Sequence, residues 1–442
     1  MVFGSSCCTM SPYDWALAQM RVPEAHAITR GDASVIVAVS DLGYRFHPDH
    51  DGHLWVNPHP TRGDIHGWDF ADDDASLEYS GPDEESSEYL RGHHSFVVGE
   101  VAAVAPECRI MVCRVGYGPK QAESWWRAVD YAVAHGARVL VEPHGYIHGQ
   151  AQTGIPWFYQ GTDFAYPHDN PQSRSAYENA YRAGCLIIKP VCDNRGRRVA
   201  AAIPALDAVM AVGSSNRQGG AANIATDADY VEVSAPSGSR NLGPAEEILG
   251  TGGDGNYILM NGGCMSAGFA AGVAALAFSR YPGLSAEQVR QILRNTAQGI
   301  GWDPRLGHGV LDAFRAVSLT PSELCQRPVV LRESCSIVED GGSAKLLLRL
   351  RNEGAYDASR VLVVAYDGDP LSPADATATQ EAPKILLTRQ LGHVIAGVSG
   401  FEEKQVELPL DSWDRTRRLF VQLSVLDLGS TADAHTIELT PR

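Results

Sequence analysis

The segment from Asn261 to Phe278 constrains this chain more than any other. It reads Asn-Gly-Gly-Cys-Met-Ser-Ala-Gly and continues into a run of small and apolar residues. Two consecutive glycines let the backbone turn tightly and approach a ligand. Cys264 then stands in the first turn of a predicted helix, whose partial positive end favours an anion there. The segment alone leaves two interpretations open: Cys264 is a partly ionised, reactive thiol, or it is an ordinary buried cysteine.

Composition excludes several classes of partner. The chain has 442 residues and a formal net charge of -17, with no basic run, which argues against binding to nucleic acid. No apolar run approaches the length of a membrane span, and residues 1–8 lack both the basic start and the apolar region of a signal peptide. The nine cysteines have no metal-ligand spacing, so we expect a reducing, cytoplasmic location and no bound metal.

Strands and helices alternate as far as Val317. The run Val35–Val39 is too short for a helix and rich in β-branched residues, which is typical of a strand buried on both faces. Ser285 and Gln288 have the spacing of a capping box at a helix start. The alternation predicts a parallel sheet with helices on both faces. The predicted strands are 109–115, 138–141, 185–188, 209–212 and 230–233, and the predicted helices are 15–20, 122–134, 175–183 and 285–296.

Two polar groups are predicted at one edge of this sheet. Asp41 follows the first strand, at the carboxyl end where open α/β sheets place their sites. Apolar residues with helical spacing begin at Phe96, so His93 is expected at the amino end of that helix, facing the same edge. Asp41 alone is equally typical of a turn. The adjacent His94 leaves open which histidine faces the site.

The pattern of apolar and polar residues changes near Pro321. Beyond it, apolar and polar residues alternate between turn signals, as in Leu346–Gly354, Val361–Tyr366 and Leu419–Val425. This pattern predicts an all-β sandwich. We therefore expect two domains, an α/β domain over residues 1–319 and a β-sandwich domain over residues 320–442.

Four segments, in order, resemble the motifs of the subtilisin-like serine peptidases. Val37–Gly43, followed by His-Pro-Asp at 47–49, is similar to the family's Asp motif, and Gly92–Gly99 is similar to Gly-His-Gly-Thr-His-Val-Ala-Gly. Leu186–Asn194 resembles the strand that ends in the oxyanion-hole asparagine. Asn261–Gly268 is similar to Asn-Gly-Thr-Ser-Met-Ala-Ser-Pro. The resemblance covers residues 13 to 317 and implies a subtilisin-like fold.

The resemblance also implies roles for particular residues. Asp41 would orient the imidazole of His93, His93 would act as base and acid, and Cys264 would attack the substrate carbonyl. Asn194 and the backbone N–H of Cys264 would stabilise the oxyanion. The positions that correspond to substrate-binding residues of the family are Pro143, His144, Gly145 and Gly263.

Several positions depart from the family pattern. Cys264 replaces the serine, and Gly268 replaces the proline four residues later. A thioester reacts with amines more readily than with water, and engineered subtilisin ligases carry the same kind of pair. We expect Gly268 to let the helix start shift and accommodate sulfur. Pro143 lacks the N–H of one substrate ladder bond. Residues 146–172 form an aromatic-rich insertion, and the loop of the family's principal calcium site is missing, so no cofactor is implied.

Three hypotheses remain from the sequence. The first is a subtilisin-fold enzyme whose Cys264–His93–Asp41 triad cuts a peptide, or joins its acyl part to an amine, as in peptide ligation, cyclisation or maturation. The second is a pseudoenzyme that binds a peptide or protein without chemistry. The third is an ordinary serine protease trapped by a Ser-to-Cys change. In each case a peptide or protein is the expected partner, with a further partner possible at the β-sandwich.

Overall fold

The computed structural model describes residues 12–78, 88–116, 122–143, 170–191, 193, 204–299, 301–340, 343–366, 390–410, 419–425 and 435–439. The chain divides into two compact units, Met1–Ser318 and Leu319–Arg442.

A seven-stranded parallel sheet forms the centre of the first unit. Its order is β2-β3-β1-β4-β5-β6-β7. The strands are β1 (Ile36–Asp41), β2 (Gly67–Asp69), β3 (Arg109–Arg114), β4 (Ala137–Val141), β5 (Leu186–Pro190), β6 (Val209–Ser215) and β7 (Val233–Pro236). A separate hairpin pairs β8 (Ile248–Thr251) with β9 (Tyr257–Met260).

Eight helices accompany this sheet in the part of the chain that is described. They are α1 (Asp14–Gln19), α2 (Val22–Ala25), α3 (Glu88–Val104), α4 (Ala122–Ala134), α5 (Pro171–Arg182), α6 (Gly263–Arg280), α7 (Ala286–Asn295) and α8 (Ala313–Val317). The predicted capping box of α7 is confirmed, since Ser285 and Gln288 exchange both hydrogen bonds. The parallel sheet and its helices confirm the predicted α/β fold class.

Helix α6 is buried along almost its whole length because its residues are small. From Gly263 to Phe278 only Cys264 is not fully buried. A Cβ at Gly272 would lie 2.5 Å from Cβ of Val104 on α3, so glycine is what allows the two helices to pack at this distance. This close packing of α3 on α6 determines where their functional side chains meet.

Two details differ from the sequence prediction. Helix α3 begins at Glu88, so His93 lies inside the helix rather than at its amino end. Gly92 is tolerated within the helix because a side chain there would approach Ile258 of β9 to 2.5 Å, and tertiary packing outweighs its low helix propensity. The last strand is Val233–Pro236 rather than 230–233, because the Val231 carbonyl accepts a hydrogen bond from Trp302 instead of a neighbouring strand.

The second unit consists of two antiparallel sheets. Their strand orders are β10-β11-β14 and β13-β12-β15-β16. The strands are β10 (Pro328–Asp340), β11 (Ser343–Asn352), β12 (Ala358–Tyr366), β13 (Gln390–Val398), β14 (Glu403–Pro409), β15 (Leu419–Val425) and β16 (His435–Leu439). Alternate residues of both sheets share one core, including Leu348, Val363 and Val421. This arrangement is the β-sandwich that the alternating pattern predicts.

A buried ion pair lies between the large sheet and its helices. Lys189 donates to Oε2 of Glu142 at 2.6 Å, and both side chains are almost completely buried. Tyr177 donates to the same oxygen at 2.7 Å, and the Lys189 ammonium lies 5.4 Å from the ring centre of Trp125. Each charge depends on the other for its stability, because neither has access to water.

We predict that Lys189→Met destabilises the protein by about 3–5 kcal/mol, because it leaves the Glu142 carboxylate buried without its cation. The free energy of unfolding, measured with urea, checks this value. The matched control is Lys189→Met combined with Glu142→Leu, which removes both charges and should recover most of the loss. A single variant as stable as the native protein would contradict the prediction.

Candidate active site

Asp41 stands at the carboxyl end of β1, where the strand leaves the sheet. Its side chain is fully buried. Oδ1 accepts a hydrogen bond from the backbone N–H of Leu42 at 2.6 Å, which fixes the carboxylate orientation. The other oxygen, Oδ2, points at the imidazole of His93.

His93 is the histidine that meets this carboxylate. Its Nδ1 donates to Oδ2 of Asp41 at 2.7 Å, and the side chain is only 4 % exposed. This bond leaves Nε2 as the ring nitrogen that can exchange a proton with another group. His94 is also buried, but its ring packs edge-on against Tyr44, with the ring centres 6.0 Å apart. The geometry therefore distinguishes the two adjacent histidines.

Cys264 reaches the same imidazole from the first turn of α6. The turn into this helix passes through Gly262, whose φ of 152° is disfavoured for residues with a side chain. The Cys264 side chain hydrogen-bonds to His93. Cys264 is partly exposed, whereas Cys113 and Cys185 are buried in the core, and burial raises the pKa of Cys185 to about 12. The Cys264 thiol is thus both accessible to solvent and next to the basic side chain of His93.

The charges around His93 favour its protonated form. Burial by itself would lower the pKa of His93, but the negative charges of Asp41 and Cys264, and the hydrogen bonds that His93 makes with both residues, outweigh this effect. The pKa of His93 is consequently raised well above its ordinary value. The arrangement stabilises an imidazolium between a carboxylate and a sulfur, which is the charge state of a base that has taken a proton from a thiol.

Glu100 lies behind this pair, one residue after the histidine motif, and the sequence gives no signal for it. It is fully buried in α3, and burial raises the pKa of its carboxyl well above the usual range. The sulfur of Cys264 adds to this increase and the charge of His93 opposes it. A side chain at Gly268 would collide with Oε2 of Glu100. The loss of the family proline therefore makes room for Glu100, a reason that differs from the predicted shift of the helix start.

Asp193 fixes the turn before Cys264. Its Oδ1 accepts the backbone N–H of Gly263 at 2.9 Å, and its Oδ2 contacts the guanidinium of Arg240 at 3.3 Å. Arg240 also donates to the Asn261 side chain at 3.2 Å. A Cβ at Gly263 would lie 2.9 Å from the Val191 carbonyl oxygen, which explains why glycine stands where the family has threonine. Burial raises the pKa of Asp193, against the effects of Arg240 and the Gly263 N–H.

The remaining sequence-predicted positions are only partly described. Pro143 is buried just after β4. Asn194, His144, Gly145 and most of the insertion at 146–172 lie outside the described residues. Within the ranges that are described, no group of three or more His, Cys, Asp or Glu side chains has the arrangement of a metal site. No helix among those residues combines the length and the apolar character that a membrane span requires.

A comparison with protein families gives a match that includes this site. The model of the subtilase family matches residues 32–309, which contain Asp41, His93 and Cys264. The chain belongs to the subtilase family.

Similar proteins include an extracellular serine protease and a subtilisin. The halolysin-like extracellular serine protease Nep of Natrialba magadii is 28% identical over 314 residues, which are 70% of this chain and 52% of that protein. Subtilisin DY of Bacillus licheniformis is 27% identical over 234 residues, 51% of this chain and 77% of that protein. The chain thus spans about half the length of the Natrialba protein.

Two solved structures share the fold of this chain, and with the family match they confirm the predicted subtilisin-like fold class. A lanthipeptide protease superimposes with a TM-score of 0.54 at 23% identity, covering 69% of this chain and 93% of that chain. The nisin leader peptidase NisP from Lactococcus lactis gives a TM-score of 0.52 at 17% identity, covering 69% and 92%. At these identities the similarity establishes the fold alone.

We predict that Asp41→Asn lowers the raised pKa of His93 toward its ordinary value of about 6.5, because the change removes the negative charge that most opposes the effect of burial. The raised pKa of His93 stabilises the folded state below that ordinary value, and the contribution disappears as pH rises through the folded pKa. NMR titration of the imidazole and urea unfolding at several pH values measure both effects. An unchanged titration in the variant would contradict the account of the site.

Proposed function

We propose that this subtilase uses Cys264 as its nucleophile, with His93 as general base and acid and Asp41 as the residue that orients His93. The observation that carries the proposal is the continuous chain of hydrogen bonds from Asp41 through His93 to the Cys264 side chain. Asn194, by its resemblance to the family's oxyanion-hole residue, completes the assignment. The third hypothesis from the sequence is a serine protease trapped by a Ser-to-Cys change. A second departure from the family pattern, Gly268, argues against it, because this glycine leaves the space that Glu100 occupies.

The reaction begins with proton transfer from the thiol of Cys264 to Nε2 of His93. The thiolate attacks the substrate carbonyl carbon and forms a C–S bond, while the carbonyl electron pair moves onto oxygen. When that oxyanion collapses, the C–N bond breaks and the leaving amine takes the proton from His93. The product of this half-reaction is a thioester between the acyl fragment and Cys264.

The second half-reaction divides between two acceptors. Water or an amine loses a proton to His93 as it attacks the thioester carbonyl, and the Cys264 sulfur leaves and recovers that proton. Amines attack thioesters more readily than water does, so an acceptor amine near the site captures the acyl group. We infer that the enzyme joins or cyclises peptides when such an amine is present and hydrolyses them when it is absent.

Peptide maturation is the substrate class that we propose. Two proteins with the same fold are a protease named for lanthipeptides and a peptidase named for the nisin leader. Pro143 removes one N–H from the strand that would pair with an extended substrate, so recognition must rely more on side-chain pockets. The substrate-binding positions that follow from the family resemblance are Pro143, His144, Gly145 and Gly263.

We further propose that residues 1–319 are the catalytic domain and residues 320–442 a separate β-sandwich domain that holds a partner or a substrate precursor. A cytoplasmic location is part of the proposal. It is supported by the six reduced cysteines among the described residues, which form no disulfide: Cys108, Cys113, Cys185, Cys264, Cys325 and Cys335.

A peptide library incubated with and without a millimolar amine tests acyl transfer. We expect amide products of the added amine in its presence and carboxylic acids in its absence, both identified by mass spectrometry. Cys264→Ser should shift products toward hydrolysis, because an oxygen ester favours amines less than a thioester does. Cys264→Ala and His93→Ala should each lose product by at least about a hundredfold, the lower range for a general base.

The same experiment distinguishes the pseudoenzyme hypothesis. Pro143 and the engagement of the Gly263 N–H by Asp193 favour it, since both remove backbone donors from the substrate cleft. If a library peptide binds the native protein and Cys264→Ala with equal affinity and neither turns it over, the chain is a binding module and the proposed chemistry is wrong.

A further inference from the structure

Glu100 is a fully buried carboxyl group next to the proposed nucleophile. Its side chain is 0 % exposed, and among the described residues neither Oε1 nor Oε2 has a hydrogen-bond partner. Buried carboxyl groups are almost always paired, because desolvation without a partner costs several kilocalories per mole. The buried Glu100 carboxyl therefore lowers the stability of the folded protein, and the proposed triad chemistry gives no reason for its presence.

The helix geometry places Glu100 directly behind the reacting pair. His93 and Glu100 are seven residues apart on α3, which is two turns, and therefore lie on the same helix face. Cys264 and Gly268 are four residues apart on α6 and likewise share a face. A Cβ at Gly268 would collide with Oε2 of Glu100 and lie 3.1 Å from both its Cδ and Cγ1 of Val97. The carboxyl fills the gap that glycine leaves between the two helices.

Among the residues that the structure describes, three titratable groups interact electrostatically with this carboxyl. They are His93 on its own helix, Cys264 on α6 and the phenol of Tyr13 beside the amino end of α1. Burial favours the neutral form of Glu100, and a thiolate on Cys264 favours it further, whereas an imidazolium on His93 favours the carboxylate. The phenol of Tyr13 is itself bound to Thr251 and Phe96, so it does not neutralise Glu100.

We propose that Glu100 is a positioning residue whose proton controls how readily Cys264 reacts. This inference rests on the proposed function of Cys264. While Glu100 is neutral, it adds no negative charge beside the sulfur, and the thiol can transfer its proton to His93. When Glu100 releases its proton to solvent, its negative charge disfavours the Cys264 thiolate and keeps the proton on the Cys264 sulfur. Glu100 thereby limits the reactivity of the nucleophile as pH rises.

The pairing of Glu100 with Gly268 is what makes this control possible. A proline or alanine at 268 would occupy the carboxyl's place and push the charge away from the pair. An apolar residue at 100 would fill the same gap without titrating. The structure therefore supplies two independent ways to remove the effect, one chemical and one steric.

The pH dependence of Cys264 alkylation tests the proposal. The probe is iodoacetamide, and modification of Cys264 is followed by mass spectrometry of its peptide from about pH 5 to pH 10. Glu100→Gln keeps the shape of the side chain and fixes it as neutral. We expect its rate to equal the native rate at the acidic end and to exceed it by up to about tenfold at higher pH, the effect of one pKa unit on a proton equilibrium.

The matched control is Glu107→Gln, which removes the same charge from an exposed side chain after the end of α3. Its profile should match that of the native protein. Profiles of Glu100→Gln and native protein that coincide at every pH would overturn the proposal. If Glu100→Gln does not fold, Gly268→Ala replaces it: displacement of the carboxyl should shift the midpoint of the native profile, and an unshifted midpoint would equally overturn the proposal.

The two proposals fail in different ways. Alkylation by iodoacetamide does not require a peptide substrate or acyl transfer. A shifted alkylation profile in Glu100→Gln, in a protein that processes no peptide, would support Glu100 and contradict the proposed function. Peptide acyl transfer, together with identical alkylation profiles for the native protein and Glu100→Gln, would support the proposed function and contradict the role of Glu100.

Discussion

The close packing of helix α3 on helix α6 is the constraint on which the site depends. Two glycines of α6 make it possible: Gly272 admits Val104, and Gly268 admits Glu100. With the helices at this distance, the side chains of His93 and Cys264 hydrogen-bond to each other, and β1 brings Asp41 against the other side of the same imidazole. Larger side chains at 268 or 272 would separate the helices and with them the base from the sulfur.

The charges around His93 and Glu100 are the second constraint on the site. The imidazole of His93 is buried, which alone would make its charged form unfavourable, yet Asp41 and Cys264 reverse that preference. A second carboxyl, Glu100, is buried nearby without an ionic partner among the described residues and is favoured in its neutral form. The two carboxyl groups differ in their surroundings, since Asp41 accepts hydrogen bonds at both oxygens, whereas neither oxygen of Glu100 has a hydrogen-bond partner in the described part of the chain.

Much of this architecture is predictable from local sequence signals. The β-branched run before Asp41, the glycines before Cys264 and the capping box at Ser285 each specify local structure, and the structure has the corresponding elements. The start of α3 and the position of β7 were predicted wrongly because long-range contacts, of Gly92 with Ile258 and of Val231 with Trp302, decide them. Asp193 and Glu100 carry no local signal at all. Their importance arises only where a residue distant in sequence, Gly263 or Gly268, meets them.

The central claim is that Cys264 forms a covalent bond to the acyl group of a peptide with the help of His93. The most direct test is the intact mass of the protein after brief incubation with a mixture of capped peptide thioesters and an acid quench. The account predicts an acyl adduct on Cys264 that neutral hydroxylamine removes, and that is absent from Cys264→Ala and strongly reduced in His93→Ala. A native protein that acquires no such adduct, or one whose adduct forms as fast without His93, would contradict it.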